Sequence, residues 1–131
     1  MSRNILVACS AALLLAAPFI APPLFSLAWF AFVPLFWLLN RAKSLWQTVF
    51  YGWLMGFAAH LAGFHWLVNT ISVFGGFPYP ASVAIFLMYA ALQGLQMAIF
   101  AALVRVAGFG PLQIFPALLW VPLEFLFPLL F

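Results

Sequence analysis

Ala81-Ser82-Val83-Ala84-Ile85-Phe86-Leu87-Met88-Tyr89-Ala90-Ala91-Leu92-Gln93-Gly94-Leu95-Gln96-Met97-Ala98-Ile99-Phe100-Ala101-Ala102-Leu103-Val104 runs without an acidic or basic side chain until Arg105 closes it. About 20 predominantly apolar residues in a helix cross the hydrocarbon core of a bilayer. Inside lipid the backbone must satisfy its own polar groups, which a single helix does unaided. The stretch 81–104 therefore reads as a transmembrane helix. Downstream, Gly108-Phe109-Gly110 makes a turn into Pro111, a residue suited to the first turn of a helix,. Segment 111–131 follows, with Pro116, Pro122 and Pro128 as expected kinks,. Upstream, Ser72-Val73-Phe74-Gly75-Gly76-Phe77-Pro78-Tyr79-Pro80 is loop chemistry,. It makes 71–80 a loop after a segment at 45–70. Segments at 5–21 and 24–40 are separated by the proline-rich Pro18–Pro23 and closed by Asn40-Arg41-Ala42-Lys43-Ser44. Both are short, and read equally as two tilted spans or as a hairpin that enters the bilayer and returns. The expected fold is all-α, a polytopic membrane bundle of about five segments in one domain, 1–131.

Composition agrees with that reading. Of 131 residues, 69% are hydrophobic, 20% aromatic and 4% charged, whereas a soluble domain is about 25% charged. A soluble fold cannot cover itself with so few polar side chains. The net charge of +3 comes from isolated cations and Glu124, with no basic stripe, so nucleic-acid binding is not expected. Cys9 is the single cysteine and has no disulfide partner. Leu6-Val7-Ala8-Cys9 has the look of a lipobox, yet only Ile5–Ala8 precede the cysteine, and a secretory signal needs an apolar core of about 7–15 residues. An uncleaved membrane helix is favoured, with a cleavable signal ending near Ala17 as the alternative. Five crossings would put Arg3, Arg41, Lys43 and Arg105 on one face, which the positive-inside rule makes cytoplasmic,. The N-terminus then lies in the cytoplasm, and loop 71–80 and the C-terminus lie outside. The last residues, Phe125 to Phe131, are all apolar, which suggests a chain that would normally continue on that side.

Chemistry-bearing residues are few. Gly52, Gly56, Ala59 and Gly63 fall in a narrow stripe on one helix face,, the recurrent device for close helix packing in membranes. It reads as a contact within the chain, with a dimer interface as the alternative. His60 and His65 are five apart and point about 140° from each other at 3.6 residues per turn, so they cannot chelate one ion; no metal and no cofactor are expected. His60 is placed near mid-membrane, and Tyr89, Gln93 and Gln96 recur at helical spacing as a polar ridge. They read as interhelical hydrogen-bonding groups or as the lining of a lipid or substrate path. Glu124 is the sole acid, inside an apolar helix and nearer the external face, and an intramembrane ionisable residue is a functional candidate by default. Cys9, Lys43 and Glu124 have the residue types of a Glu-Lys-Cys triad, yet Cys9 and Lys43 are expected near the cytoplasmic side and Glu124 some ~20 Å from the cytoplasmic end of its helix at about 1.5 Å per residue. They cannot meet, and no catalytic set is present.

Several stretches resemble bacterial apolipoprotein N-acyltransferase: Pro22-Pro23-Leu24-Phe25-Ser26-Leu27-Ala28-Trp29, Phe32-Val33-Pro34-Leu35, Gly52-Trp53-Leu54-Met55-Gly56-Phe57, Gly63-Phe64-His65-Trp66-Leu67, Phe74-Gly75-Gly76-Phe77-Pro78, and Pro116-Ala117-Leu118-Leu119-Trp120 with Glu124-Phe125-Leu126. Order and intervals match over essentially the whole chain. The resemblance implies the N-terminal transmembrane part of a bacterial inner-membrane enzyme. That family moves an acyl chain from phospholipid to the N-terminal cysteine of a diacylglyceryl-modified lipoprotein, through a thioester on a catalytic cysteine. It also implies that the catalytic Glu, Lys and Cys lie in an external nitrilase-like domain, which the sequence does not reach, so none is carried over. The expected partners are membrane phospholipid, that missing or separately encoded domain, and the lipoprotein substrate. Phe74, Gly75, Gly76 and Glu124 become candidate contacts to it. Many members continue into Arg-Gly after the Glu-Phe-Leu run; here Phe127-Pro128-Leu129-Leu130-Phe131 stands instead. The chain is expected to be a fragment, a truncated frame or a split-gene partner, inactive alone, and the alternative is a small stand-alone membrane scaffold or transport-type protein. Carbonate extraction of membranes from cells making this chain should leave it in the pellet; a folded monomer in plain buffer would overturn the membrane reading.

Overall fold

The computed structural model describes residues 2–108 and 114–126. It is helical throughout: α1 (Ser2–Ile20), a 3-10 stretch (Pro22–Phe30), α2 (Phe32–Arg41), α3 (Leu45–Gly63), α4 (Leu67–Gly75), α5 (Tyr79–Ala107) and α6 (Ile114–Leu126). Three stretches are long and apolar enough to cross a membrane: Arg3–Ile20, Pro22–Arg41 and Tyr79–Ala107. A fourth is formed if α3 and α4, bent by 65° at their junction, are taken as one broken span. The described part of α6, 13 residues, is shorter than the about 20 a crossing needs.

Local chemistry explains where the helices start and stop. Pro22, Pro23 and Pro34 supply no backbone donor, and the α-helix is interrupted between Ile20 and Phe32. The chain there winds more tightly, and Ala31 N–H bonds to Ala28 O at 3.1 Å. Helix α3 opens on a reciprocal cap of the Ser-x-x-Gln type. Gln47 N–H donates to Ser44 Oγ at 3.3 Å, and Lys43 N–H donates to Gln47 Oε1 at 2.9 Å. Helix α4 stops at Gly76, whose φ of 68° is left-handed backbone that glycine adopts without a Cβ clash. The sequence placed a loop over 71–80, but α4 runs on to Gly75 and α5 begins at Tyr79. What breaks the third segment lies earlier: Phe64 leaves the helix at φ −118°, ψ 19°, and its ring packs on Phe19 of α1 at 4.7 Å.

The principal helix pair is α3 with α5. A Cβ placed on Gly52 would lie 2.6 Å from the Met97 carbonyl oxygen and 2.7 Å from Ala101 Cβ. One on Gly56 would lie 2.9 Å from Met97 Cβ and 3.0 Å from Gly94 Cα. In the reverse direction, a Cβ on Gly94 would meet the Trp53 ring and carbonyl at 3.0 Å. The two backbones are thus in contact, and the Trp53 indole N–H crosses to the Ala91 carbonyl at 3.1 Å. Gly63 departs from the expected stripe. Its neighbours are Phe19 Cβ at 3.3 Å and Ala16 Cβ at 3.6 Å on α1, so the stripe serves two helices.

All four cations collect at one end of the bundle. Arg105 in α5 donates through one guanidinium nitrogen to Leu39 O at 3.2 Å and Ala42 O at 2.8 Å. Carbonyls at a helix C-terminus lack intrahelical partners and carry partial negative charge, so Arg105 caps α2 beside Arg41 and Lys43. Arg3 joins them, because its neighbour Asn4 donates to the Tyr51 hydroxyl at 3.1 Å near the start of α3. Gly56→Leu should push α3 off α5 and cost about 1–3 kcal/mol of stability, as overpacking typically does. Thermal unfolding of the purified protein in detergent should show a clear loss, and an unchanged midpoint would mean the pair is not in contact.

Candidate functional site

Two sets of polar side chains lie between helices, one partly buried between α3 and α5 and one exposed between α5 and α6. Helix α3 brings His60 toward α5 one turn after Gly56, where the backbones meet. Its Nδ1 lies 2.8 Å from the Gly56 carbonyl; a carbonyl only accepts, so Nδ1 carries a proton there. The His60 ring stacks on Phe64 at 5.3 Å and meets Tyr89 edge-on at 5.7 Å. Gln93, 8% exposed, donates through Nε2 to the Tyr89 hydroxyl at 3.2 Å. His60, Tyr89 and Gln93 thus form one partly buried chain of contacts, while the third residue of the expected ridge, Gln96, turns elsewhere.

Gln96 Nε2 donates to Glu124 Oε2 at 3.3 Å, joining α5 to α6. This bond corrects the expected depths. Gln96 precedes Arg105 by nine residues, so Glu124 sits about 13.5 Å from the cation end at 1.5 Å per residue. Tyr79, at the opposite end of α5, is about 25 Å away on the same measure. Glu124 therefore lies beside the half of α5 nearer the cations and not toward the far face. Tyr89, beside His60, is about 24 Å from Arg105 and about 15 Å from Tyr79, so His60 and Tyr89 lie in the half opposite the cations, with Gln93 close to the middle. The sequence placed Glu124 nearer the external face, because counting along each helix separately cannot see how α6 is set against α5.

At that opposite end, Ser72 Oγ donates to the Phe77 carbonyl at 3.0 Å and Ser82 Oγ to the same oxygen at 3.4 Å. Together they draw the α4–α5 turn tight. Phe74 stands out from it, 86% exposed, with Gly75 and Gly76 also exposed. His65 lies on the exposed break between α3 and α4, its Nδ1 3.0 Å from Ala62 O. Ala59 is buried in the core. None of these arrangements joins a nucleophile to a base within hydrogen-bond reach. Among the described residues, no three His, Cys, Asp or Glu side chains converge as metal ligands. What the interior can do is bind and position apolar or hydrogen-bonding groups.

Sequence reasoning missed the Arg105 cap, the Asn4–Tyr51 bond and an aromatic cluster of Phe32, Phe36, Phe100 and Trp120. Their ring centroids lie 5.3–6.4 Å apart, mostly edge to face. Arg105 had a legible signal, a cation at the end of one helix with a second helix ending at Arg41. The cluster had none, since aromatics crowd the whole chain.

The chain matches the family model described as apolipoprotein N-acyltransferase N-terminal domain over residues 11–131. It is similar to the apolipoprotein N-acyltransferase of Geobacter metallireducens, 34% identical over 126 residues, which cover 94% of this chain and 24% of that protein. It is also similar to apolipoprotein N-acyltransferase 2 of Leptospira interrogans, 33% identical over 73 residues, covering 55% of this chain and 12% of that protein. The chain thus spans about a quarter of the length of the first of these relatives. No solved structure matches it significantly. Glu124→Leu would leave the Gln96 amide without its acceptor in hydrocarbon, at a cost of about 1–2 kcal/mol. Glu124→Gln keeps an acceptor and should unfold near the parent protein; equal stability of all three in detergent would show the bond idle.

Proposed function

The chain belongs to the apolipoprotein N-acyltransferase family, as its N-terminal membrane domain, and from that membership we propose that it anchors and orients the acyl-transfer machinery in the bacterial inner membrane. The whole enzyme would move an acyl chain from phospholipid to the N-terminal cysteine of diacylglyceryl-modified lipoproteins. The observation that carries this reading is the family match over residues 11–131, set against the quarter of the Geobacter relative that the chain spans.

The domain's part is to set a platform. With its cations in the cytosol, the α4–α5 turn with Phe74, Gly75 and Gly76 faces outward, toward a nitrilase-like catalytic domain. The His60–Tyr89–Gln93 cluster lies below that turn, within the outer half of the bilayer, where it lines the approach of a lipid substrate. Glu124 bonds within the bundle and also faces lipid, so it is a contact for a further membrane segment. In this reading α3 and α4 make one broken span and segment 111–131 completes a fifth. Phospholipid, the lipoprotein substrate and the catalytic domain are the partners.

Two measurements test the proposal. In a Cys9→Ala background, Gly76→Cys should react with a membrane-impermeant maleimide added outside, and Lys43→Cys should react only after the membrane is opened. The reverse pattern would overturn the orientation. The purified chain, mixed with phospholipid and a diacylglyceryl peptide, should transfer no acyl group; transfer would place catalysis inside this domain.

A further inference from the structure

The aromatic cluster walls a cleft of about 660 Å³ between α1, the 3-10 stretch, α2, α5 and α6, in which Leu15, Trp29, Phe32, Phe36, Phe100 and Trp120 are prominent. Its size falls within the about 300–1,000 Å³ of ordinary ligand pockets. Its lining is almost wholly apolar, so water has nothing to bond to there. We propose that this cleft is a binding site for one acyl chain of a phospholipid from the leaflet at the cation-bearing end, with the headgroup phosphate at Arg41, Lys43 and Arg105.

The walls argue against a helix as occupant. Helices in membranes seat against small residues, as α3 and α5 do at Gly52, Gly56 and Gly94. This cleft has one alanine, Ala28, in its lining and is faced mainly with tryptophan and phenylalanine rings set against one another, Phe100 on Trp120 at 5.3 Å and Phe32 on Phe100 at 5.7 Å. A helix is about 10–12 Å across with its side chains, so 660 Å³ admits little more than one turn of it. A flexible hydrocarbon chain conforms to such a slot.

The depth fits a single leaflet. Phe36 and Phe100, in contact at 6.4 Å, mark the lower end. Each is followed five residues later by a cation, Arg41 on α2 and Arg105 on α5, about 7.5 Å further along. Arg105 bridges to the end of α2, so both charges lie beneath the same gap. From Phe36 up to Trp29 the chain rises about 11–14 Å, for α and 3-10 winding respectively. That is close to half of the about 30 Å hydrocarbon core. This site is separate from the His60–Tyr89–Gln93 cluster, which lies toward the other face, and it stands whether or not the domain serves acyl transfer.

The test uses the full chain in nanodiscs containing a phospholipid with a photoactivatable diazirine at mid-chain. Crosslinks mapped by peptide mass spectrometry should concentrate on residues 28–36 and 116–121, about tenfold above the lipid-facing Leu92, Leu95 and Leu103. Ala28→Trp, which fills the cleft, should lower labelling there about tenfold and leave those three leucines unchanged. Labelling spread evenly over all exposed positions of the parent chain would overturn the site, and this map needs no variant to fold. Native mass spectrometry of the gently delipidated protein should show one retained phospholipid per chain. A lipid-free dimer would mean that a second copy fills the cleft, which also overturns the proposal.

Discussion

The contact of α3 with α5 is the constraint on which the rest of the structure depends. Between helices in lipid there is no hydrophobic driving force, because hydrocarbon solvates leucine as well as a neighbouring helix does. Stability must come from dispersion at close range, about 0.1–0.2 kcal/mol per atom pair at optimal separation, and from a few hydrogen bonds. Gly52, Gly56 and Gly94 remove the side chains that would hold the backbones apart. The approach they allow also lets Trp53 reach the Ala91 carbonyl and brings His60 onto Tyr89. An indole N–H facing hydrocarbon would otherwise go unpaired.

The remaining helices are arranged about that pair. Helix α1 lies along α3, with Asn4 bonded to Tyr51 at one end and Phe19 against Phe64 at the other. Arg105 pins α5 to the end of α2. That single guanidinium has two effects. It satisfies carbonyls that helix geometry leaves open, and it sets its own positive charge beside Arg41 and Lys43 at one end of the bundle.

The opposite end is built differently. There α3 and α4 bend by 65°, and the α4–α5 turn is tightened by two serines on one carbonyl. The turn exposes Phe74 instead of charge. An apolar tip at a membrane surface suits docking against another apolar or amphipathic surface. The charged end suits the headgroup layer. One end of the domain is thus cationic and the other aromatic, an asymmetry built at the α2–α5 and α4–α5 junctions.

Solvent class and helical fold were legible in the sequence, because 4% charge in 131 residues and apolar runs such as 81–104 admit no other medium. The grouping of Arg3, Arg41, Lys43 and Arg105 was legible too, since helix length fixes which ends coincide. Tertiary structure decided the rest. Gly63 faces α1 and not α5, because the stripe's neighbours depend on how three helices are set together. Glu124 lies beside Gln96, nearer the cation end of α5, because α6 is placed against α5 by contacts its own length does not encode. The aromatic cleft exists only where five elements leave a gap, and in a chain that is 20% aromatic no periodicity marks which rings will line it. A one-dimensional pattern fixes what each helix is dissolved in; which side chains meet is fixed by close packing between helices, a property of pairs.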